Sequence, residues 1–200
     1  MDGLREDPGL WSRFVPIAFH VNYWDNLGWP DRFATRQFTQ RQYAHAAAWS
    51  SDSVYTPCFV RDGAEWHPEA DLKHPSAEQP GILTVAIASS GACRIEFTPE
   101  TTLQGASSAA WEAHVALLGG GFSSRVTAGE NRGRILTHEF VAMALVDAQM
   151  KVSSGSAAVE LALPATDGSG AVRRAIAVWV TRQGELAPVQ ATGGWLPVRS

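Results

Sequence analysis

Cys58 has the widest chemical reach of any residue in this sequence, and it directly follows Thr56 and Pro57. A thiol beside a proline at the start of an extended segment can resolve a mixed disulfide, or join an imidazole such as His20 to hold a soft metal. The competing reading is a buried strand cysteine, because free Cys is among the most buried residue types. A second group lies earlier, in the run from Ala18 to Asp31: His20, Asn22, Tyr23, Trp24, Asp25 and Trp29. An imidazole followed by a carboxylate is the pattern of an oriented general base, with Asn22 as the other polar side chain near in sequence. Read structurally, Trp24 and Trp29 are apolar plugs over a core edge, and Asp25 and Asp31 cap the next helix. The catalytic candidates are therefore Thr56, Pro57 and Cys58. The binding candidates are His20, Asn22, Tyr23, Trp24, Asp25 and Trp29; no metal-ligand set and no cofactor are assigned.

These groups need elements to hold them. Residues 4–14 read as a fragmentary helix interrupted at Asp7 and Pro8, and residues 15–21 as a buried strand. The loop carrying the aromatics follows, since loops at strand ends are where ligands usually sit. Residues 31–49 read as a helix with Phe33, Phe38 and Tyr43 in its buried stripe. Residues 54–60 are extended, and Asp62-Gly63 is a hairpin turn signal with a return strand after it. Beyond a polar segment at 67–80 the pattern changes. Strands are expected at 82–87, 93–97, 111–118, 135–141, 157–163, 174–181 and 188–191, spaced as in an antiparallel sandwich. The boundary falls near residues 75–82, giving an N-terminal unit over 1–78 and a mainly antiparallel β unit over 79–200.

Composition narrows the partners. The chain has 200 residues, 45% of them hydrophobic and 18% charged, with a net charge of -4 and a pI near 5.8. Nothing basic is arranged to neutralise phosphates, which argues against nucleic acid. No run of 18 apolar residues exists, so no membrane span is expected, and the first residues show no export signal. The 2 cysteines, Cys58 and Cys93, make no disulfide framework and no Cys-x-x-Cys. Cys93 falls in an expected strand and reads as core. His45 reads as surface or core filling, and His67 and His74 as solvated. His114 and His138 lie in separate strands. Gly119-Gly120-Gly121 lacks a following Lys-Ser or Lys-Thr and reads as a flexible turn.

The run Phe19-His20-Val21-Asn22-Tyr23-Trp24-Asp25-Asn26-Leu27-Gly28-Trp29 resembles the HVDYWDxLGW signature of a thioredoxin-like bacterial family known as domain of unknown function 1223. The likeness continues through Arg41-Gln42-Tyr43, Val54-Tyr55-Thr56-Pro57 and Asp62-Gly63. It reaches Gly129-Glu130-Asn131-Arg132-Gly133-Arg134-Ile135-Leu136, which is similar to the family's GENxGRxL segment, with Glu130 and Arg132 expected to bridge the two units. The resemblance implies a thioredoxin-like N-terminal fold, secreted or periplasmic location, and thiol or disulfide handling; Pro57 is either an edge-strand device or a cis proline, and in the second case Cys58 lies close to where the family's dithiol would be.

Two departures qualify that implication. Family members open with a strand ending in a QGCSSCPPA motif that this sequence lacks; a degenerate paralogue, a truncated chain and a misplaced start each explain this, and the last two are favoured. Where the family usually has Gln after Thr-Pro, this chain has Cys58.

The expected fold is therefore α+β: an incomplete thioredoxin-like N-terminal domain joined to a β-sandwich-like C-terminal domain. The expected function is redox handling of a thiol or disulfide protein or peptide outside the cytoplasm, with no dithiol turnover by this chain alone. The alternative is a non-catalytic binding or scaffold module that takes a peptide or soft metal near Cys58 and the Trp-rich loop. Homo-oligomerisation through an unpaired sheet edge is a further expectation.

Overall fold

Asp31 decides where the first helix begins. Its carboxylate accepts the Phe33 N–H at 2.9 Å, and its carbonyl accepts the Ala34 N–H at 3.0 Å, so residues 31–34 form a turn. Thr35 then takes the N-cap, accepting the Phe38 N–H at 3.2 Å, and helix α1 runs Arg36–Ala48. The expected start at residue 31 was early for this reason. In this computed structural model, residues 2–27, 30–67, 80–100, 110–126, 132–164 and 170–197 are described.

Before α1, a 3-10 helix spans Asp2–Glu6 and another spans Asp25–Leu27. Residues 15–21 are extended, with Val15, Ile17 and Phe19 directed into a core. A buried strand was expected there, but the residues are half-buried and the pairing is a single parallel bridge, Ala18 to Val141, not a ladder. The segment is a strap laid across the end of a sheet. After α1, β1 (Val60–Arg61) and β2 (Ala64–Glu65) form the expected hairpin, with Gly63 at φ +84 in its turn. Residues 54–59 carry no ladder.

The rest is built from antiparallel strands: β3 (Gly81–Ile87), β4 (Ala92–Pro99), β5 (Trp111–Gly120), β6 (Phe122–Arg125) and β7 (Ile135–His138). These are followed by β8 (Val141–Gln149), β9 (Lys151–Ser153), β10 (Ser156–Ala162), β11 (Arg173–Arg182) and β12 (Gln190–Trp195). One sheet has the order β3-β4-β10-β9 and the other β12-β11-β5-β8, while β6 and β7 form a separate hairpin. Among the described residues the fold is thus mainly β with one α-helix.

Strict alternation in β4 turns Cys93, Ile95 and Phe97 inward, where they meet Trp111, Ala113 and Val115 of β5 and Ile176, Val178 and Val180 of β11. The opposite face of β5 and β11 is covered too. Ala116, Leu118, Ala175, Ala177 and Trp179 pack beneath Phe38 of α1 and the strap. Burial on both faces explains why these two strands read as near-continuous apolar runs.

Several strand expectations need correction. The run 135–141 is two strands, because Phe140 sits at φ +56 and turns the chain between β7 and β8. Gly119 and Gly120 belong to β5, and only Gly121, at φ +75, is a turn. Gly120 is needed because a Cβ there would collide with the Glu139 carboxylate. The change of character expected near residues 75–82 falls largely outside the described residues.

Candidate functional site

The Trp-rich loop is held from beneath by α1. Asn22 donates its N–H to Thr39 Oγ1 at 3.0 Å and accepts the Thr39 hydroxyl at 2.6 Å, a reciprocal lock between loop and helix. Tyr23 and Trp24 meet edge to face at 5.5 Å. Trp24 is 52% exposed, so it is no core plug. Trp29, and with it Gly28, lies outside the described residues, as do His74, Glu130 and Asn131.

His20 is oriented by a carboxylate, but by Asp31 and not Asp25. Its Nδ1 lies 2.5 Å from Asp31 Oδ2. Asp25 instead accepts the Asp31 N–H at 3.1 Å and so fixes the loop that presents Asp31. Burial pushes the Asp31 carboxyl up, but hydrogen bonds from His20 and the Phe33 N–H, with the charges of His20 and His138, outweigh it and hold the group below its ordinary value. The imidazole rings of His20 and His138 lie 5.5 Å apart, centroid to centroid, with Phe33 against both. Sequence spacing hid this because His138 arrives from the β6–β7 hairpin.

Cys58 belongs to a different neighbourhood. The Thr56–Pro57 peptide bond is cis, and Cys58 is half-buried at the foot of a cleft of about 20 Å3 between α1 and the hairpin. Gln42, Trp49, Ser53, Tyr55 and Glu65 line it with Cys58. The helix fixes both flanks: Gln42 Nε2 donates to the Tyr55 carbonyl at 2.6 Å, and Trp49 Nε1 to the Gly63 carbonyl at 2.9 Å. The Tyr55 hydroxyl donates to Glu65 Oε1. That bond, above all, pushes the Tyr55 phenol up to about 12. Burial pushes the Cys58 thiol up; the Tyr55 hydrogen bond pulls it back, and the Glu65 carboxylate adds to the rise. Cys58 is therefore a protonated thiol at neutral pH, in a cleft that admits about one water or the tip of a side chain.

Tyr23 neighbours this cleft, close to Gln42 and Cys58. Burial pushes the Tyr23 phenol up, and a side-chain hydrogen bond with Gln42 pulls it partly back. The structure thus brings Tyr23 together with Thr56, Pro57 and Cys58. It keeps His20 with Asp31, and no contact joins His20 to Cys58. Among the described residues no group of three or more His, Cys, Asp or Glu side chains is placed to hold a metal.

The remaining cysteine and histidines are structural or exposed. Cys93 is fully buried in the sandwich. His67 is exposed, and His45 is buried under α1 against Trp49. His114 was not expected to pair with anything specific. It is buried between strands, with Nδ1 2.7 Å from Asp147 Oδ1 and Nε2 3.0 Å from Thr181 Oγ1, its ring stacked on Trp179 at 5.1 Å. Thr181 is only 1% exposed, so this Asp–His–Thr row is sealed at one end, while Asp147 faces solvent at the other.

A family model described as "Protein of unknown function (DUF1223)" matches residues 2–181. The chain belongs to DUF1223. This DUF1223 chain is similar in structure to a protein of Agrobacterium tumefaciens solved by X-ray crystallography, with 19% identity and a TM-score of 0.60. The match covers 90% of this chain and 79% of that one. HBP35 of Porphyromonas gingivalis is a second likeness, with 12% identity, a TM-score of 0.51, and coverage of 80% of this chain and 58% of HBP35. At those identities the likeness speaks for fold alone. No curated protein matches the sequence. No helix of the DUF1223 chain, among the described residues, is long and apolar enough to cross a membrane.

Proposed function

We propose that this chain handles thiols or disulfides at Cys58, outside the cytoplasm, as the cis-proline side of a thioredoxin-like unit. One observation carries the reading. The Cys58 thiol opens into a cleft between α1 and the hairpin, lined by Gln42, Trp49, Tyr55 and Glu65.

The step needs no oxidant. Cys58 gives its proton to solvent base, and the thiolate attacks one sulfur of a partner disulfide R–S–S–R. A Cys58–S–S–R bond forms, the R–S⁻ thiolate leaves, and it takes up a proton. The raised thiol makes this slow at neutral pH. With no second cysteine at Cys-x-x-Cys spacing, the chain does not complete a dithiol cycle.

The test is mass mapping after exposure of the folded chain to 2-hydroxyethyl disulfide, a neutral reagent. One adduct at Cys58, none at Cys93 and none in Cys58→Ser is the expected result. A folded chain that stays unmodified while the denatured chain reacts would overturn the reading. Insulin reduction should run no faster than with dithiothreitol alone.

The second reading is a binding module that holds a peptide without covalent exchange. The protonated state of Cys58 favours it. Partner retention undiminished in Cys58→Ser would put that reading first.

A further inference from the structure

We infer that His20 and Asp31 form a second centre, separate from Cys58, in which His20 is the general base for hydrolysis of esters that carry a negative charge. Two Asp–His pairs occur among the described residues, and the outer nitrogens of their rings differ. His114 has Nδ1 on Asp147 and Nε2 on Thr181 Oγ1, so both of its nitrogens are taken. His20 has Nδ1 on Asp31 Oδ2, and no described group takes its Nε2. That nitrogen reaches water, because the His20 side chain is 17% exposed and Nε2 is not a buried atom. An imidazole backed by a carboxylate, with its other nitrogen open, is the arrangement of a general base.

The surroundings hold that nitrogen in place. Asp31 accepts the Phe33 N–H at 2.9 Å on its second oxygen, its own N–H is held by Asp25 at 3.1 Å, and the His20 carbonyl accepts the Thr35 N–H at 3.4 Å. The Asp31 carboxyl, below its ordinary value, is charged at neutral pH. It therefore keeps the proton of the neutral ring on Nδ1 and leaves Nε2 as the acceptor. Charge selection comes from Arg32. Its guanidinium is exposed, stands 4.6 Å over the Phe33 ring and 5.4 Å over Phe122, and meets no carboxylate among the described residues. The same Phe33 ring meets His20 at 5.5 Å, so an anion held by Arg32 brings an ester group a few bonds away to Nε2. His20 Nε2 takes a proton from water, and the water oxygen attacks the ester carbonyl carbon. The bond to the alcohol oxygen breaks, and the departing alkoxide takes the proton back from His20. Water is the co-reactant, and a carboxylic acid and an alcohol are the products.

Two acetate esters test this, anionic 4-acetoxybenzenesulfonate and neutral 4-nitrophenyl acetate, with each rate divided by that of the same ester with free imidazole. After that division the sulfonate should be hydrolysed faster by about fivefold or more at low ionic strength, and the preference should shrink in about 0.5 M salt. His20→Gln should lower kcat by about 100-fold or more. Asp31→Asn keeps an acceptor for the Phe33 N–H but loses the charge. As a positioning residue it should lower kcat by about tenfold or more with KM unchanged. Arg32→Gln should raise KM for the sulfonate by about fivefold and remove the preference over the neutral ester. Arg32 is exposed, so that variant reads the site even where His20→Gln does not fold. Hydrolysis no faster than in folded His20→Gln, or equal normalised rates for the two esters at low salt, overturns the inference. Exchange at Cys58 stands or falls separately, since it is read by disulfide adducts and not by ester turnover.

Discussion

At the scale of single residues, environment sets what each ionisable group can do. Cys58 and Cys93 share a chemical identity but not an access route, since one opens to a cleft and the other is sealed in the sandwich. Alkylation of Cys58 by iodoacetamide should be slower than that of a free thiol at pH 7, with its midpoint above the ordinary value. Tyr55→Phe should move the midpoint further up, because the hydroxyl that stabilises the thiolate is gone. A pH–rate profile unchanged in Tyr55→Phe would contradict this. His45 gives a stability prediction. Burial, reinforced by Arg41, pulls its pKa down to about 4. Below its ordinary value of 6.5 the unfolded chain takes up a proton that the folded chain refuses, so stability is lost as pH falls from 6.5 to about 4 and levels off beneath that. The full loss is on the order of 3 kcal/mol. In His45→Gln, urea unfolding at pH 7 and pH 5 should differ by correspondingly less than in the unsubstituted chain.

At the scale of elements, the parts legible in the sequence were those where local pattern and tertiary context agree. The Asp62-Gly63 hairpin, β3, β4, β5, β10 and β11 follow from their patterning and turn residues; helix α1 was found as well, but of its expected stripe only Phe38 is buried in it, since Phe33 precedes the helix and Tyr43 is 50% exposed. Strand β8 was missed because Val141-Ala142-Met143-Ala144-Leu145 mixes good helix formers with no alternation, and only pairing with β5 makes it a strand. Missing β8 also hid the His114–Asp147 pair, whose members face each other across that ladder. His20 was found, but its carboxylate was assigned to Asp25, five residues away, when the chain's turn brings Asp31 back instead. Long-range approach of this kind has no periodic signature. The turn that precedes the strap, carrying Trp11, offers a test of element packing. Gly193 of β12 carries no side chain, and an added Cβ would lie 2.5 Å from the Trp11 ring and 2.8 Å from the Ile176 carbonyl. Trp11 also packs edge-on against Phe140 and Trp195. Gly193→Ala should therefore displace Trp11 and destabilise the fold by about 1–3 kcal/mol. Denaturant titration with tryptophan fluorescence as the probe would read both effects, and an unchanged midpoint would rule out the close approach.

At the scale of the whole molecule, the two hydrophobic clusters are joined by shared strands. Phe97 and Ile95 press on one face of β5 and β11, and Phe38 and the strap press on the other. Residues 113, 115, 176, 178 and 180 serve the sandwich, while 116, 118, 175, 177 and 179 serve the helical layer. Strands buried on both faces cannot lose one cover without exposing apolar backbone neighbours of the other. The molecule should consequently unfold in one transition, even though its sequence changes character between an α-containing first part and a β second part. Phe38→Ala removes a side chain 1% exposed, and Phe97→Ala one that is fully buried. Each should cost about 3–5 kcal/mol. Because the clusters share β5 and β11, each should lower one common midpoint, with far-UV circular dichroism and tryptophan fluorescence moving together. Two separated transitions in Phe38→Ala, with the β signal surviving the loss of the helix, would mean that the helical layer is an independent unit. The Cys58 cleft, built between α1 and the hairpin, would then be free to open without the sandwich. A single transition ties that cleft to the full stability of the molecule.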